Sequence, residues 1–249
     1  MKWRLIPLIA ASGKTQMAID RWLLQQHYLG KQPPCLRFYT WSPVAISLGY
    51  HQRNFPDFWQ NLTWDGKPVD LVRRPTGGRA VLHQDDLTYM VVTSGISGGR
   101  SRIYQQLCEF LIKGWSALGV ELNYGNNQRG YIHNPNCFGT ATAADLVTTN
   151  GEKLIGSAQL IKNQAILQHG SMYLSRDNRL FTKVFQENKS PVKLPWEQPK
   201  KALIQTIVNT LSETAAAFFD VDLIAQPLAE WEWSEILAQP NSGISSKSF

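Results

Sequence analysis

The sequence predicts an α+β fold in which mixed and antiparallel sheets are flanked by helices. Hairpin signals concentrate in residues 145–175, and amphipathic helical stretches lie to either side instead of alternating one for one with strands. Neither a strand-linked GxGxxG nor a GxxxxGK[ST] loop occurs, so the phosphate-binding turns of doubly wound parallel folds are missing from the sequence.

The chain has 249 residues, 43% of them hydrophobic, which is enough for one large core. Its 25 Lys+Arg against 19 Asp+Glu leave a net charge of +6, which favours acidic partners. No nucleic-acid motif or basic-aromatic run accompanies that charge, so nucleic acid is not an expected partner. Cys35, Cys108 and Cys137 are too widely and irregularly spaced for a disulfide framework or a zinc site. No metal is therefore expected, and a reducing cytoplasm is the expected compartment. No apolar run approaches the length of a membrane span.

In MKWRLIPLIAASGKT the apolar run is broken by Pro7, which predicts an edge strand rather than a secretory leader. Thr15 is placed as the N-cap of a helix over QMAIDRWLLQQHYLG, with Met17, Leu23, Leu24 and Tyr28 facing a core and Gly30 ending it. Beyond Pro33-Pro34, CLRFYTWSPVAISLGY has the alternation of two short strands around Ser42-Pro43. VDLVRR and AVLHQDDLTYMVVTS read as strands on either side of a glycine pair. RIYQQLCEFLIKGWSALGV carries Ile103, Leu107, Leu111, Trp115 and Leu118 at helical spacing.

Asn150-Gly151 marks a tight hairpin, Lys162 to Gln164 a second turn, and Lys153 sits on a strand just past the first. Simple alternation puts Ile155 and Ser157 on the Lys153 side, and Leu154, Gly156 and Ala158 on the other. After SPVKLPWEQPKK, a helix is expected from about Pro199 to Phe219 along Leu203, Ile207, Leu211, Ala215 and Phe218, with a shorter one in LAEWEWSEIL. The expected organisation is a single domain over residues 1–240. Its core motifs lie in 15–175 and a helical part in about 199–238, followed by a disordered tail at 241–249.

Two clusters carry chemistry. In RRPTGGRAVLHQDDLTY, residues 73–89, Gly77-Gly78 lets backbone approach a ligand closely, and Arg73, Arg74 and Arg79 add positive charge. In the second cluster, NPNCFGTATAADLV puts Cys137 in a Pro/Gly/Asn loop, where a thiol can be exposed. GEKLIGSAQLIKNQAILQHGSMYL then places Lys153, Ser157, Gln159 and His169 among apolar strand residues. Backbone N–H groups of the glycine loop or of Gly156-Ser157 are candidates for stabilising an oxyanion.

Together these segments resemble the biotin/lipoate protein ligase and octanoyltransferase superfamily over most of residues 15–175. MAIDRWLL looks like its first helix, SPVAISLGYHQ its second block, RRPTGGRAVLHQDDLTY its arginine-glycine-histidine loop, and GEKLIGSAQ its lysine motif. Arg79 stands where the ATP-dependent lipoate ligases of that superfamily typically carry a third glycine, and the chain after Ser175 is short for their accessory domain. The closest resemblance is therefore to the cysteine-dependent octanoyl-[acyl carrier protein]:protein N-octanoyltransferases.

What the resemblance implies is transfer of octanoyl from its acyl carrier protein to a lysine of a lipoyl domain through a cysteine thioester. Cys137 would be the nucleophile and Lys153 its catalytic partner. Arg73, Arg74, Thr76, Gly77, Gly78, Arg79, His83, Gly156, Ser157, Ala158 and His169 would hold the acyl group and the substrates. Val81, Leu82, Leu87, Tyr89, Leu154 and Ile155 are candidates for the wall of an acyl pocket, and the three arginines for contacts to the carrier's phosphopantetheine or acidic surface. No cofactor is implied; ATP and magnesium enter only under the alternative of lipoate ligation, and amidotransfer between lipoyl-domain proteins is a further alternative. The expected acceptors are lipoyl-domain proteins such as a glycine cleavage H protein or a 2-oxoacid dehydrogenase subunit, served by a cytoplasmic monomer.

Overall fold

The computed structural model describes residues 1–125, 145–175, 177–187, 192, 194–196 and 200–239. The first half of the chain runs β1 (Lys2–Ala11), α1 (Gly13–Tyr28), β2 (Cys35–Trp41), β3 (Ala45–Leu48), a 3-10 turn (Asp57–Asn61), β4 (Thr63–Trp64), β5 (Lys67–Pro68), β6 (Asp70–Arg73), β7 (Val81–His83) and β8 (Asp86–Ser94). Then follow α2 (Arg100–Ala117), β9 (Leu122–Tyr124), β10 (Leu146–Thr148), β11 (Lys153–Lys162), β12 (Ala165–Tyr173), α3 (Asn178–Phe185), α4 (Lys200–Phe219), β13 (Asp222–Ala225) and α5 (Glu230–Ala238).

Eight strands make the main sheet in the order β13-β1-β2-β8-β12-β11-β10-β9, and β6-β3-β7 make a second, smaller one. The β13, β1 and β2 pairings are parallel and the rest of the main sheet is antiparallel. This mixed, helix-flanked arrangement is the α+β architecture expected from the sequence. No helix among the described residues is long and apolar enough to cross a membrane.

Each face of the main sheet has its own core. On one face Leu107, Phe110, Leu111 and Trp115 of α2 and Ile207 and Leu211 of α4 pack over Phe38, Val91 and Ile155. On the other, Met17, Trp22 and Leu23 of α1 cover Tyr39, Met90 and Leu167, with Ile236 of α5 beside them. A third core, around Trp59, Leu180 and Phe181, joins the 3-10 turn and α3 to the small sheet. The α1 side of the main sheet and the small sheet face each other, and the functional residues lie between them.

Three differences from the sequence reading have local physical causes. The N-cap of α1 is Ser12 and not Thr15: Ser12 has extended backbone angles, and its Oγ accepts from the Thr15 N–H at 3.2 Å. The stretch 80–94 is two strands, because Asp85 adopts a left-handed φ of 57° that breaks the run, leaving β7 in the small sheet and β8 in the large one.

The third concerns Lys153. Between the pairs Val147↔Lys153 and Leu146↔Ile155 the register slips by one, so Leu154 is an extra residue in a β-bulge. Leu154 and Ile155 consequently both enter the α2–α4 core. Lys153 is thereby moved to the same side of the strand as Gly156 and Ala158, the reverse of simple alternation.

Candidate active site

A cavity lies across the α1 face of the main sheet. Its floor is set by strand register: Tyr39 of β2, Thr88 of β8, Ser171 of β12 and Gly156 of β11 stand side by side in one row. The next row holds Arg37, Met90, His169 and Ala158. Between Tyr39 and Lys153 the floor residues are small, which leaves a channel where larger side chains would fill the space. Met17, Ser47, Arg74, Gly78, Val81 and His83 close it from above. Three interstrand spacings of about 4.8 Å make the channel roughly 14 Å from β2 to β11.

Trp41 ends the channel on the β2 side. Its indole N–H donates to Thr88 Oγ1 at 2.8 Å, and its ring stacks on His83 with centroids 3.7 Å apart and planes 15° from parallel. His83 is locked in turn. Its Nδ1 lies 2.8 Å from Asp86 Oδ2 and its Nε2 2.8 Å from Ser47 Oγ. Burial holds the His83 imidazole below its ordinary pKa of 6.5, although the Asp86 carboxylate pulls the other way. Asp86 also accepts from Ser171 Oγ and from Thr88 Oγ1, so one carboxylate ties β7, β8 and β12 together.

Lys153 ends the channel on the β11 side, with its Nζ 2.8 Å from Asp145 Oδ1 and both side chains 5% exposed. An ion pair so far out of water survives only with close geometry, since each charge needs the other there.

A second carboxylate line supports the glycine loop. His169 Nδ1 is 2.7 Å from Asp20 Oδ2, and His169 Nε2 is 2.6 Å from Thr76 Oγ1. The acceptor-only carboxylate holds the proton on Nδ1, which in the neutral ring leaves Nε2 to accept from the Thr76 hydroxyl. Asp20 is fully buried; it also accepts from the Tyr39 hydroxyl at 3.0 Å and faces Arg37 Nε at 3.5 Å.

The loop itself is held by its arginines. Arg74 is buried and donates to the carbonyls of Ser47 at 2.8 Å, Gly77 at 2.8 and 3.1 Å, and Arg79 at 2.7 Å. Arg73 caps the neighbouring loop by donating to the Gly49 and Gln52 carbonyls at 2.8 and 2.7 Å. Gly78 has φ of 96°, and a Cβ there would come 2.7 Å from Arg74 Nη2; a Cβ on Gly49 would meet the Gly78 carbonyl oxygen at 1.8 Å. Two glycines therefore let two loops and a guanidinium interlock. The sequence reading had Arg73, Arg74 and Arg79 available for a carrier. Instead the first two guanidinium groups point into loop carbonyls, and Arg79 is nearly buried.

Of the expected site residues, the structure gathers Arg74, Gly78, His83, Lys153, Gly156, Ser157, Ala158 and His169 around one cavity, with Thr76 behind His169. Arg73 and Gly77 line an adjoining groove. Of the expected pocket wall, Val81 lines the cavity. Leu87, Tyr89, Leu154 and Ile155 belong to the α2–α4 core and Leu82 to the small-sheet core, because they point to the other sides of their strands. Cys137 lies outside the described residues. The other two cysteines are fully buried, and burial pushes each thiol up to about 12.

Sequence reasoning missed Asp20, Trp41, Ser47, Asp86 and Asp145. Asp20 and Asp86 did leave a signal: an acid inside the apolar stripe of MAIDRWLL, and an acid three residues after the histidine in HQDD.

The lipoyl protein ligase A/B catalytic domain family matches residues 12–230. The chain is 39% identical over 180 residues to octanoyltransferase LipM of Moorella thermoacetica, covering 70% of this chain and 65% of that relative. It is 32% identical over 251 residues to octanoyltransferase LipM of Kyrpidia tusciae, covering 92% and 85%. Among solved structures, a T. acidophilum protein with bound lipoic acid superposes with a TM-score of 0.77 at 21% identity, covering 95% of this chain and 94% of its own. That likeness shares the fold alone. With 219 consecutive residues matched, the chain belongs to the lipoyl protein ligase A/B catalytic domain family.

Proposed function

We propose that this protein transfers an octanoyl group from octanoyl-acyl carrier protein to a lysine of a lipoyl domain, through a thioester on Cys137, without ATP or metal. The observation that carries this reading is the channel across the sheet, blocked at one end by Trp41 and bounded at the other by the Lys153–Asp145 pair. A zigzag of about 1.5 Å carbon–carbon bonds carries eight carbons roughly 9 Å. In this reading the chain runs from the Trp41 indole over Thr88, Ser171 and Gly156 and turns its carbonyl toward Lys153. The similarity to relatives named octanoyltransferases supports the same substrate class.

The chemistry follows from the groups present. The Cys137 thiolate attacks the donor thioester carbonyl, the tetrahedral oxyanion collapses, and the carrier leaves as a thiolate that takes up a proton. One thioester replaces another, so the acyl group stays activated and no nucleotide is consumed. The acceptor amine then attacks the Cys137 thioester, gives up a proton, and expels the thiolate. In this reading Lys153, held by its ion pair with Asp145, is the cation that stabilises the thiolate and the oxyanion. Two of the three cysteines are held as buried thiols, which supports Cys137 as the nucleophile.

The acceptors consistent with this reading are lipoyl-domain proteins such as a glycine cleavage H protein or a 2-oxoacid dehydrogenase subunit, and the compartment is the cytoplasm. The test is transfer from octanoyl-acyl carrier protein to an apo lipoyl domain with ATP and magnesium omitted. Octanoylation that persists in Cys35→Ser and Cys108→Ser and disappears in Cys137→Ser supports the proposal. An absolute requirement for ATP would replace it with lipoate ligation.

A further inference from the structure

We infer that Asp86 is a specificity-determining residue: it draws the hydrogen-bond donors of the channel floor away from the channel, so that a saturated acyl chain is accepted and one carrying an oxo group is rejected. This rests on the acyl-channel reading above and deepens it by naming what the channel tells apart. Trp41, Ser47, His83, Thr88 and Ser171 all border the space assigned to an alkyl chain, and the last four are buried. A buried donor aimed at an alkyl chain goes unbonded, which weakens binding.

The hydrogen bonds among these side chains all run one way. Arg74 Nη1 donates to Ser47 Oγ at 3.2 Å, the Ser47 hydroxyl donates to His83 Nε2 at 2.8 Å, and His83 Nδ1–H donates to Asp86 Oδ2 at 2.8 Å. That order needs a neutral imidazole, which burial favours by holding the His83 pKa below 6.5. On the floor, Trp41 Nε1 donates to Thr88 Oγ1 at 2.8 Å, Thr88 Oγ1 donates to Asp86 Oδ2 at 3.4 Å, and Ser171 Oγ donates to the same oxygen. Directly or through a neighbour, these donors converge on one carboxylate oxygen. Tyr39, next along the floor, donates its hydroxyl to Asp20 at 3.0 Å instead.

What these hydroxyls keep for the channel is lone pairs. A hydroxyl oxygen has one proton and two acceptor positions, and the protons of Thr88 and Ser171 are held by a carboxylate, which accepts and cannot donate. Turning either proton into the channel breaks its bond to Asp86. The floor is therefore an acceptor surface beneath the half of the acyl chain nearer Trp41. A methylene chain asks nothing of it, and a hydroxyl on the chain can donate to it. An oxo group, which only accepts, loses its water and finds no donor on that floor.

The experiment measures kcat/KM for octanoyl-, 6-oxooctanoyl- and 6-hydroxyoctanoyl-acyl carrier protein with an apo lipoyl domain, using the full chain and its D86A, D86N and D86A/S171A variants. The wild type is expected to prefer octanoyl over 6-oxooctanoyl by about tenfold and to use the hydroxy donor better than the oxo donor. D86A frees the Ser171 and Thr88 protons and should bring octanoyl and 6-oxooctanoyl to within about twofold. D86N keeps an oxygen where the donors converge and should retain the preference, and adding S171A to D86A should restore part of it. Wild-type use of octanoyl and 6-oxooctanoyl within about twofold, or of the oxo donor as well as the hydroxy donor, overturns the inference and leaves octanoyl transfer standing. So does an unchanged ratio in D86A that thermal melts show to be folded. If D86A does not fold, the wild-type order of the oxo and hydroxy donors decides. Failure of the wild type to transfer octanoyl itself would overturn the acyl reading and this inference with it.

Discussion

Replacing Trp41 with alanine should change the acyl length the enzyme prefers. The indole spans the β2 end of the channel, anchored by its bond to Thr88 and its stack on His83. In the proposed reading an eight-carbon chain with its carbonyl at Lys153 ends against that ring, which stops two further carbons, about 2.5 Å longer, from following. In Trp41→Ala the vacated volume accepts them, and burying two methylenes at about 0.8 kcal/mol each contributes about 1.6 kcal/mol. The ratio of decanoyl to octanoyl transfer should rise about 15-fold. The assay offers equal octanoyl- and decanoyl-acyl carrier protein to an apo lipoyl domain and reads the two product masses. Trp41→Phe, which keeps a ring at the wall, should remain selective for octanoyl, and thermal melts of both variants check that the fold holds. A Trp41→Ala ratio within about twofold of wild type would refute the placement of the chain, because the predicted factor is set by methylene burial alone.

Arg74→Ala should destabilise the fold by about 3–5 kcal/mol, since it leaves the buried carbonyls of Ser47, Gly77 and Arg79 without that donor; chemical denaturation measures it. His83 makes stability depend on pH: its folded pKa lies below 6.5, so the unfolded chain takes up the proton first as pH falls. Its contribution is complete above about pH 6.5 and is lost as pH drops through the lowered folded value, so Tm should fall over that window and fall less in His83→Gln. Asp20→Asn should lower kcat by about tenfold with a smaller change in KM, because it releases the His169 tautomer that holds Thr76; loss of the fold, seen by circular dichroism, would mean that Asp20 is structural only.

The architecture was legible where local pattern determines it. The helical spacing of Ile103, Leu107, Leu111 and Trp115 and the Asn150-Gly151 turn placed α2 and the β10–β11 hairpin correctly. What was hidden depends on three-dimensional pairing. One unmatched residue, Leu154, reverses the side on which Lys153 emerges, and no alternation rule signals a bulge in advance. Arg74 reads as a surface cation until the carbonyls of Ser47, Gly77 and Arg79 are seen to converge on it. The short strands β9 and β13 and helix α3 carry too few residues for periodicity to mark them. Asp20, Asp86 and Asp145 become site residues only through partners 149, 85 and 8 positions away in the chain, as well as His83, three positions from Asp86.

The most direct test of the account is mass spectrometry of the purified protein mixed with octanoyl-acyl carrier protein, before any acceptor and without ATP. The account requires one octanoyl adduct, labile to hydroxylamine, on the peptide containing Cys137, and its discharge when an apo lipoyl domain is added. No adduct on Cys137, with acceptor octanoylation appearing only when ATP and free octanoate are supplied, would contradict it.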